Sequence, residues 1–191
     1  QIYDTPQDKI TPAQRGKAKT VNFGIMYGQT PYGLSAQIGI PVEEAAAFIE
    51  AYYKKYAGVE RFFEDVLKGC ESKGYVSTIL GRRRYLEGIK STEGSNRNKG
   101  QSERMAINTV CQGSAADLIK KAMIAIHRRL KAEKLASRLI LQIHDELVFE
   151  APGKEVDVLS ALVADEMKNA IPLSVPLAVH LGTGRNWREI K

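Results

Sequence analysis

Residues 138–150, RLILQIHDELVFE, constrain this 191-residue chain more than any other segment. Two apolar runs are separated by a short polar step at His144, Asp145 and Glu146. That pattern predicts strand, tight turn, strand. Acidic residues at such a turn are held by a stiff scaffold, as a metal site requires, because its ligands must be fixed to a fraction of an ångström. Carboxylates favour the hard ion Mg2+, which takes one or two of them together with substrate phosphates. A solvated hairpin turn, where Asp is common, is the plain alternative on these residues alone. The other two histidines, His127 and His180, have no ligand spacing, so His144 does not argue for a transition metal.

Helical patterns dominate elsewhere. Thr11-Pro12 opens a helix running to about Tyr27, with Thr as cap and Pro in the first turn. Pro41 begins another, with Phe48, Ile49, Tyr52, Tyr53 and Tyr56 on one stripe and Gly58 as its punctuation. Val59, Phe62, Phe63, Val66 and Leu67 repeat at the spacing of a buried helix face. Residues 75–86 read as a hairpin turning near Gly81, and 91–100 as a mobile loop. A helical region follows from about Gln101, is interrupted at Gln112-Gly113, and restarts on a Ser114/Asp117 capping box toward Leu130. Residues 154–169 predict a helix and 175–181 a last strand. The class is α/β in the α+β sense, mostly helical with a small antiparallel sheet.

Composition narrows the functions. An apolar content of 43% excludes a fully disordered chain. Lys and Arg outnumber Asp and Glu by 28 to 22, and the resulting +6 favours a polyanionic partner without establishing one. Cys70 and Cys111 stand far apart without a C-x-x-C pair. That argues against a disulfide framework or a Cys-based zinc site and fits a reducing compartment. No run of 18 apolar residues predicts a membrane span, and the first residues do not resemble a signal peptide. The chain lacks an initiator Met, so a cut or processed piece is expected.

Arg15, Lys19, Phe23 and Tyr27 recur every four positions. On a helix they form a stripe about 120° wide and roughly 18 Å long, with Ala18, Val21 and Ile25 facing the other way. Two cations followed by two rings suit a nucleoside triphosphate: cations for phosphates, a flat ring for base and sugar. The spacing also fits the wet face of an ordinary amphipathic helix. Gly16, Gly24 and Gly28 weaken that helix and point to a close approach along it.

The run RGKAKTVNFGIMYGQTPYGL resembles motif B of family A DNA polymerases across its length, and QIHDELVFE resembles motif C. Their order and their separation of about 120 residues agree with that family. The resemblance implies a right-hand polymerase architecture, with residues 1–74 as fingers and 75–191 as part of the palm. It implies that Arg15 and Lys19 hold the triphosphate, with Lys19 also assisting the departing pyrophosphate. Phe23 would stack at base and sugar, and Tyr27 would sit beside the template base. Phe at position 23 is associated in the family with discrimination against dideoxynucleotides. Asp145 becomes a catalytic metal ligand, Glu146 its acidic neighbour, and His144 a residue near the primer terminus.

Arg104, Asn108 and Gln112 also recur every four residues. Such side chains can donate to the minor-groove acceptors that every base pair presents, although an exposed helix face explains the spacing equally well. ERMAINTVCQGSAADLIK resembles the family segment that contacts primer-template DNA. Arg82, with Arg83 and Arg84, suits phosphate contacts or structural pairing.

A two-metal clamp needs a second carboxylate. Asp65, Asp117, Asp157 and Asp165 read as helical, and Asp4 and Asp8 as polar lead-in. By resemblance that carboxylate belongs to motif A, in an upstream remainder of the polymerase. The expected function is template-directed transfer of deoxynucleotides to a primer 3′ end with two Mg2+, in a bacterial cytoplasm or a phage-infected cell, with no membrane partner. Alternatives are a non-catalytic DNA-binding module or a split-polymerase subunit. A metal-dependent nuclease is disfavoured, since it has no use for the first-helix stripe.

Overall fold

The computed structural model describes residues 6–86, 89 and 96–190, with the side chains of 7, 17 and 96–99 excepted. Along them run α1 (Pro12–Met26), α2 (Pro31–Ile38), α3 (Val42–Lys55), α4 (Ala57–Lys73), β1 (Tyr75–Ser77), β2 (Arg83–Tyr85), α5 (Asn96–Ala132), β3 (Arg138–Ile143), β4 (Glu146–Glu150) and α6 (Val156–Lys168). Helices predominate, and the described strands form two antiparallel pairs, β1–β2 and β3–β4. The expected α+β class is therefore present. Two compact units divide the chain, one of residues 1–77 and 82–110, the other of 78–81 and 111–191.

In the first unit, α1 begins as its sequence predicts. The Thr11 hydroxyl accepts from the Gln14 N–H at 3.2 Å, and Gln14 Oε1 accepts from the Thr11 N–H at 2.9 Å. This reciprocal box satisfies two of the donors every helix start leaves open. Val21 and Ile25 are each 1% exposed and pack with Leu34 of α2 and Ala45 of α3. The Tyr52 hydroxyl donates to Asn22 Oδ1 at 2.8 Å, tying α3 to α1. A second cluster joins Cys70 of α4, Val76 of β1 and Ala106 of α5. The β1–β2 hairpin has the expected turn, with Gly81 at φ +82° and its N–H donating to the Thr78 carbonyl at 2.9 Å.

Two expectations for this unit need correction. The break between α3 and α4 falls at Tyr56, and Gly58 lies inside α4. Tyr56 donates its N–H to Tyr52 and accepts from Val59, so it closes one helix and opens the next. The aromatic stripes are also only partly core. Phe63 is buried, while Phe62 and Tyr56 are 42% and 47% exposed. Adjacent helical residues point about 100° apart, and Phe62 lies off the face that Phe63 buries.

In the second unit, Ala122, Ile126 and Leu130 of α5 pack with Leu159, Leu162 and Val163 of α6. Leu147 and Phe149 of β4 pack against this cluster. The guanidinium of Arg129 joins the helices, lying 2.9 Å from Glu133, 3.0 Å from Asp165 and 3.4 Å from Glu166. Helix α5 is unbroken where an interruption at Gln112-Gly113 was expected. Ser114 and Asp117 serve no cap. The Ser114 hydroxyl accepts from the Ile79 N–H at 2.9 Å, and buried Asp117 accepts from the Thr78 hydroxyl. Residues 96–100 of the expected loop belong to α5, and 91–95 lie outside the described residues. Residues 175–181 are not a strand. Pro176 withholds a donor there, and β3 and β4 pair only with each other among the described residues.

Glu155, at the start of α6, accepts from the Ser137 hydroxyl at 2.7 Å and from the N–H groups of Ser137 and Ala136 at 3.0 and 3.2 Å. The Ser137 hydroxyl foremost, then the Ala136 N–H, hold its carboxyl below the ordinary value. A depressed folded pKa contributes stability above the unfolded value and loses it as pH falls through the folded value. Glu155→Gln is therefore expected to lower the denaturation midpoint at pH 7, with the gap to wild type closing at pH 3. Ile126→Ala, which empties a fully buried site, is expected to cost about 2–5 kcal/mol in the same assay.

Candidate nucleotide and metal sites

Burial of Val21 and Ile25 turns the opposite face of α1 outward. Lys19 Nζ lies 5.7 Å from the centroid of the Phe23 ring. Phe23 and Tyr27 stack with centroids 6.1 Å apart and planes 18° from parallel. A cation and two near-parallel rings thus form one column, with electrostatic attraction between ammonium and ring face. The column lines a cavity of about 660 Å3, shared with Gln29, Gly33 and Arg104. The sequence placed Lys19, Phe23 and Tyr27 together, and the structure does so. Arg15 is exposed one turn toward the start of α1 and does not line the cavity.

Arg104 comes to the same cavity from α5. It recurs with Asn108 and Gln112 along α5, and it lines the cavity beside Phe23 and Tyr27. Its Cγ would stand 3.2 Å from a Cβ on Gly28, whose φ is +73°. Gly28 is thus needed twice, for its backbone and for the room it leaves. Asn108 Oδ1 is buried with no partner among the described residues, and Gln112 is exposed. In the arginine cluster, Arg84 donates to the Thr109 hydroxyl at 3.0 Å and the Arg83 guanidinium lies 4.8 Å from the Tyr75 ring centroid. Both are engaged in structural pairing, and Arg82 lies just before β2.

Gln29, Gly33 and Gln37 line the same cavity and were not singled out from the sequence. The repeated Thr-Pro start, at Thr30-Pro31 as at Thr11-Pro12, was the available signal for α2.

In the second unit, Ile143 pairs with Glu146, leaving His144 and Asp145 as a two-residue turn. His144 takes φ +53°, and the Gln142 amide donates to its carbonyl at 3.0 Å. His144, Asp145 and Glu146 are all exposed. Asp145 and Glu146 edge a cavity of about 530 Å3 that His180 and Trp187 also line. The carboxylates dismissed from the sequence are elsewhere. Asp65 and Asp157 are helical, Asp117 is bonded to Thr78, and Asp165 to Arg129. Asp8 sits in a short 3-10 turn, and Asp4 lies outside the described residues.

Asp145 and Glu146 are oxygen donors of the type Mg2+ accepts alongside substrate phosphates and water. No group of three His, Cys, Asp or Glu converges among the described residues. The donor set is thus of the oxygen type that suits such an ion.

The first unit thus presents a basic-then-aromatic helix face, and the second an exposed acidic hairpin turn. The family model for DNA polymerase family A matches residues 1–189, and the chain belongs to that family. It is 48% identical over 190 residues to DNA polymerase I of Bacillus caldotenax, covering 100% of this chain and 21% of that protein. Against the thermostable DNA polymerase I of Thermus aquaticus the identity is 40%, covering 100% and 22%. The polymerase domain of Pol1 from M. smegmatis, solved with DNA primer-template and dNTP, superposes with a TM-score of 0.92 at 42% identity, covering 97% of this chain and 32% of that one. The chain thus spans about a fifth of the length of these full-length relatives.

Gly28→Ala is expected to cost at least about 1–2 kcal/mol, the penalty of a Cβ at left-handed φ, with the Arg104 contact added. Denaturant midpoints of the two proteins check it.

Proposed function

We propose that the protein carrying this chain is a DNA-directed DNA polymerase that adds deoxynucleotides from dNTPs to a primer 3′ end on a DNA template. The Lys19–Phe23–Tyr27 column facing a cavity with Arg104 carries the reading. Membership of DNA polymerase family A and a solved relative bound to primer-template and dNTP support it. Residues 1–74 are assigned to the fingers and 75–191 to part of the palm.

Lys19 and Arg15 bind the triphosphate, and the Lys19 ammonium offsets charge gathering on the departing pyrophosphate. Phe23 presents its exposed ring to base and sugar. Tyr27, half-buried behind it, borders the template base. Arg104, Asn108 and Gln112 grip the minor groove of the primer-template, and Arg82 the phosphate backbone. His144 lies beside the primer terminus. Mg2+ would be held by Asp145, with Glu146 next to it and a further carboxylate from elsewhere in the polymerase. Such ions would supply charge neutralisation for the substrate phosphates. Catalysis by this chain's own residues is positioning and charge stabilisation.

Single-nucleotide primer extension by the full-length protein with Mg2+ tests this. Asp145→Ala is expected to lower the rate on the order of a thousandfold, and Lys19→Ala about a hundredfold. Undiminished extension by Asp145→Ala would remove the metal assignment. Tight primer-template binding without extension by the wild type would favour the non-catalytic module instead.

A further inference from the structure

We propose that Gln29 is a positioning residue of the nucleotide cavity: threaded between two glycines, it clasps the end of α1 to α2 and so fixes the Phe23–Tyr27 pair. The kinetic consequence rests on the polymerase reading above. The geometry does not.

Helix α1 ends in a paired reversal. The Gly28 N–H donates to the Ile25 carbonyl at 3.0 Å and the Gln29 N–H to the Gly24 carbonyl at 2.9 Å. With Gly28 at φ +73°, this turn aims the next side chain back onto the helix, where an apolar residue is usual. Here that residue is glutamine. Its Oε1 occupies the place a Cβ on Gly24 would need, and its Cδ stands 2.9 Å from that point. On its other side, Cγ and Nε2 stand 3.1 and 3.4 Å from where a Cβ on Gly33 would be. Each helix therefore offers a glycine to the same side chain. Beyond the slot, Nε2 donates to Gln37 Oε1 at 2.6 Å, one turn further along α2.

The arrangement is costly. Gln29 Oε1 is buried without a partner among the described residues. An orphaned buried amide oxygen calls for an explanation, and an outward rotamer would have solvated it. The explanation is the grip itself. The carbonyl holding the Gln29 backbone belongs to Gly24, next to Phe23, and Tyr27 lies two residues before Gln29. The clasp thus closes on the turn that carries both rings. Releasing it frees that turn to rotate and part rings now 6.1 Å apart.

The test is single-nucleotide insertion by the full-length polymerase, with folding of each variant checked by circular dichroism. Gln29→Leu is expected to raise KM for the dNTP about 3- to 10-fold, the range of one lost hydrogen bond, with kcat within about twofold. Gln37→Leu should reproduce this, and Gln37→Glu, which keeps an acceptor, should restore KM. Gly24→Ala should raise KM alone but add nothing on top of Gln29→Ala, since one fills the slot and the other removes its occupant, and either way the clasp is lost. An unchanged KM in Gln29→Leu, or additive effects of Gly24→Ala and Gln29→Ala, would overturn the clasp. If the wild type inserts no nucleotide, the polymerase reading fails and amide exchange decides. Faster exchange at Gly28 and Gln29 in Gln29→Leu supports the clasp, and unchanged exchange refutes it.

Discussion

The inward packing of Val21 and Ile25 against Leu34 and Ala45 decides what the rest of the first unit can do. Burying each such side chain stabilises by about 1.5–3 kcal/mol, far more than any exposed cation on the helix contributes. Once those two residues are committed, the 3.6-residue period leaves Lys19, Phe23 and Tyr27 only the outward direction. The orientation of the Lys19–Phe23–Tyr27 column is therefore a by-product of the core. The Tyr52–Asn22 hydrogen bond adds a polar tie between α3 and α1, and burial raises the Tyr52 hydroxyl pKa.

The second unit applies the same logic to a hairpin. Alternation along β4 sends Leu147 and Phe149 toward α5 and α6. The turn at His144 and Asp145 then projects from a strand anchored on one face. The other side is less covered: Ile140 and Leu141 of β3 are 52% and 44% exposed. The register shift between Leu139 and Leu141 re-aims these residues, so simple alternation does not describe β3 as it does β4.

Much of this was legible in residues. Thr11-Pro12 announced α1 because a capping hydroxyl and a fixed φ are local chemistry. The hairpin at 138–150 was legible for the same reason. The unbroken α5 was not. Gly113, Ser114 and Asp117 resemble a break and restart, and only the distant partners Thr78 and Ile79 reveal their use. The strand at 175–181 failed because apolar alternation says nothing about whether a ladder partner is present. In the site, periodicity found the column on α1 but could not bring Arg104 to it, since no spacing rule links position 104 to position 23. Gln29 stayed hidden because a glutamine after a glycine looks like loop sequence until the helix end folds it back.

The left-handed backbone at His144 bears on how variants there are interpreted. With φ at +53°, this position accepts glycine freely and asparagine with little penalty, while β-branched residues strain the turn. A randomised library at residue 144 would be sieved by conformation before chemistry. A valine variant would report a strained turn before it reported the missing imidazole. Only the comparison of asparagine or glycine with histidine, at constant backbone, isolates what the imidazole contributes.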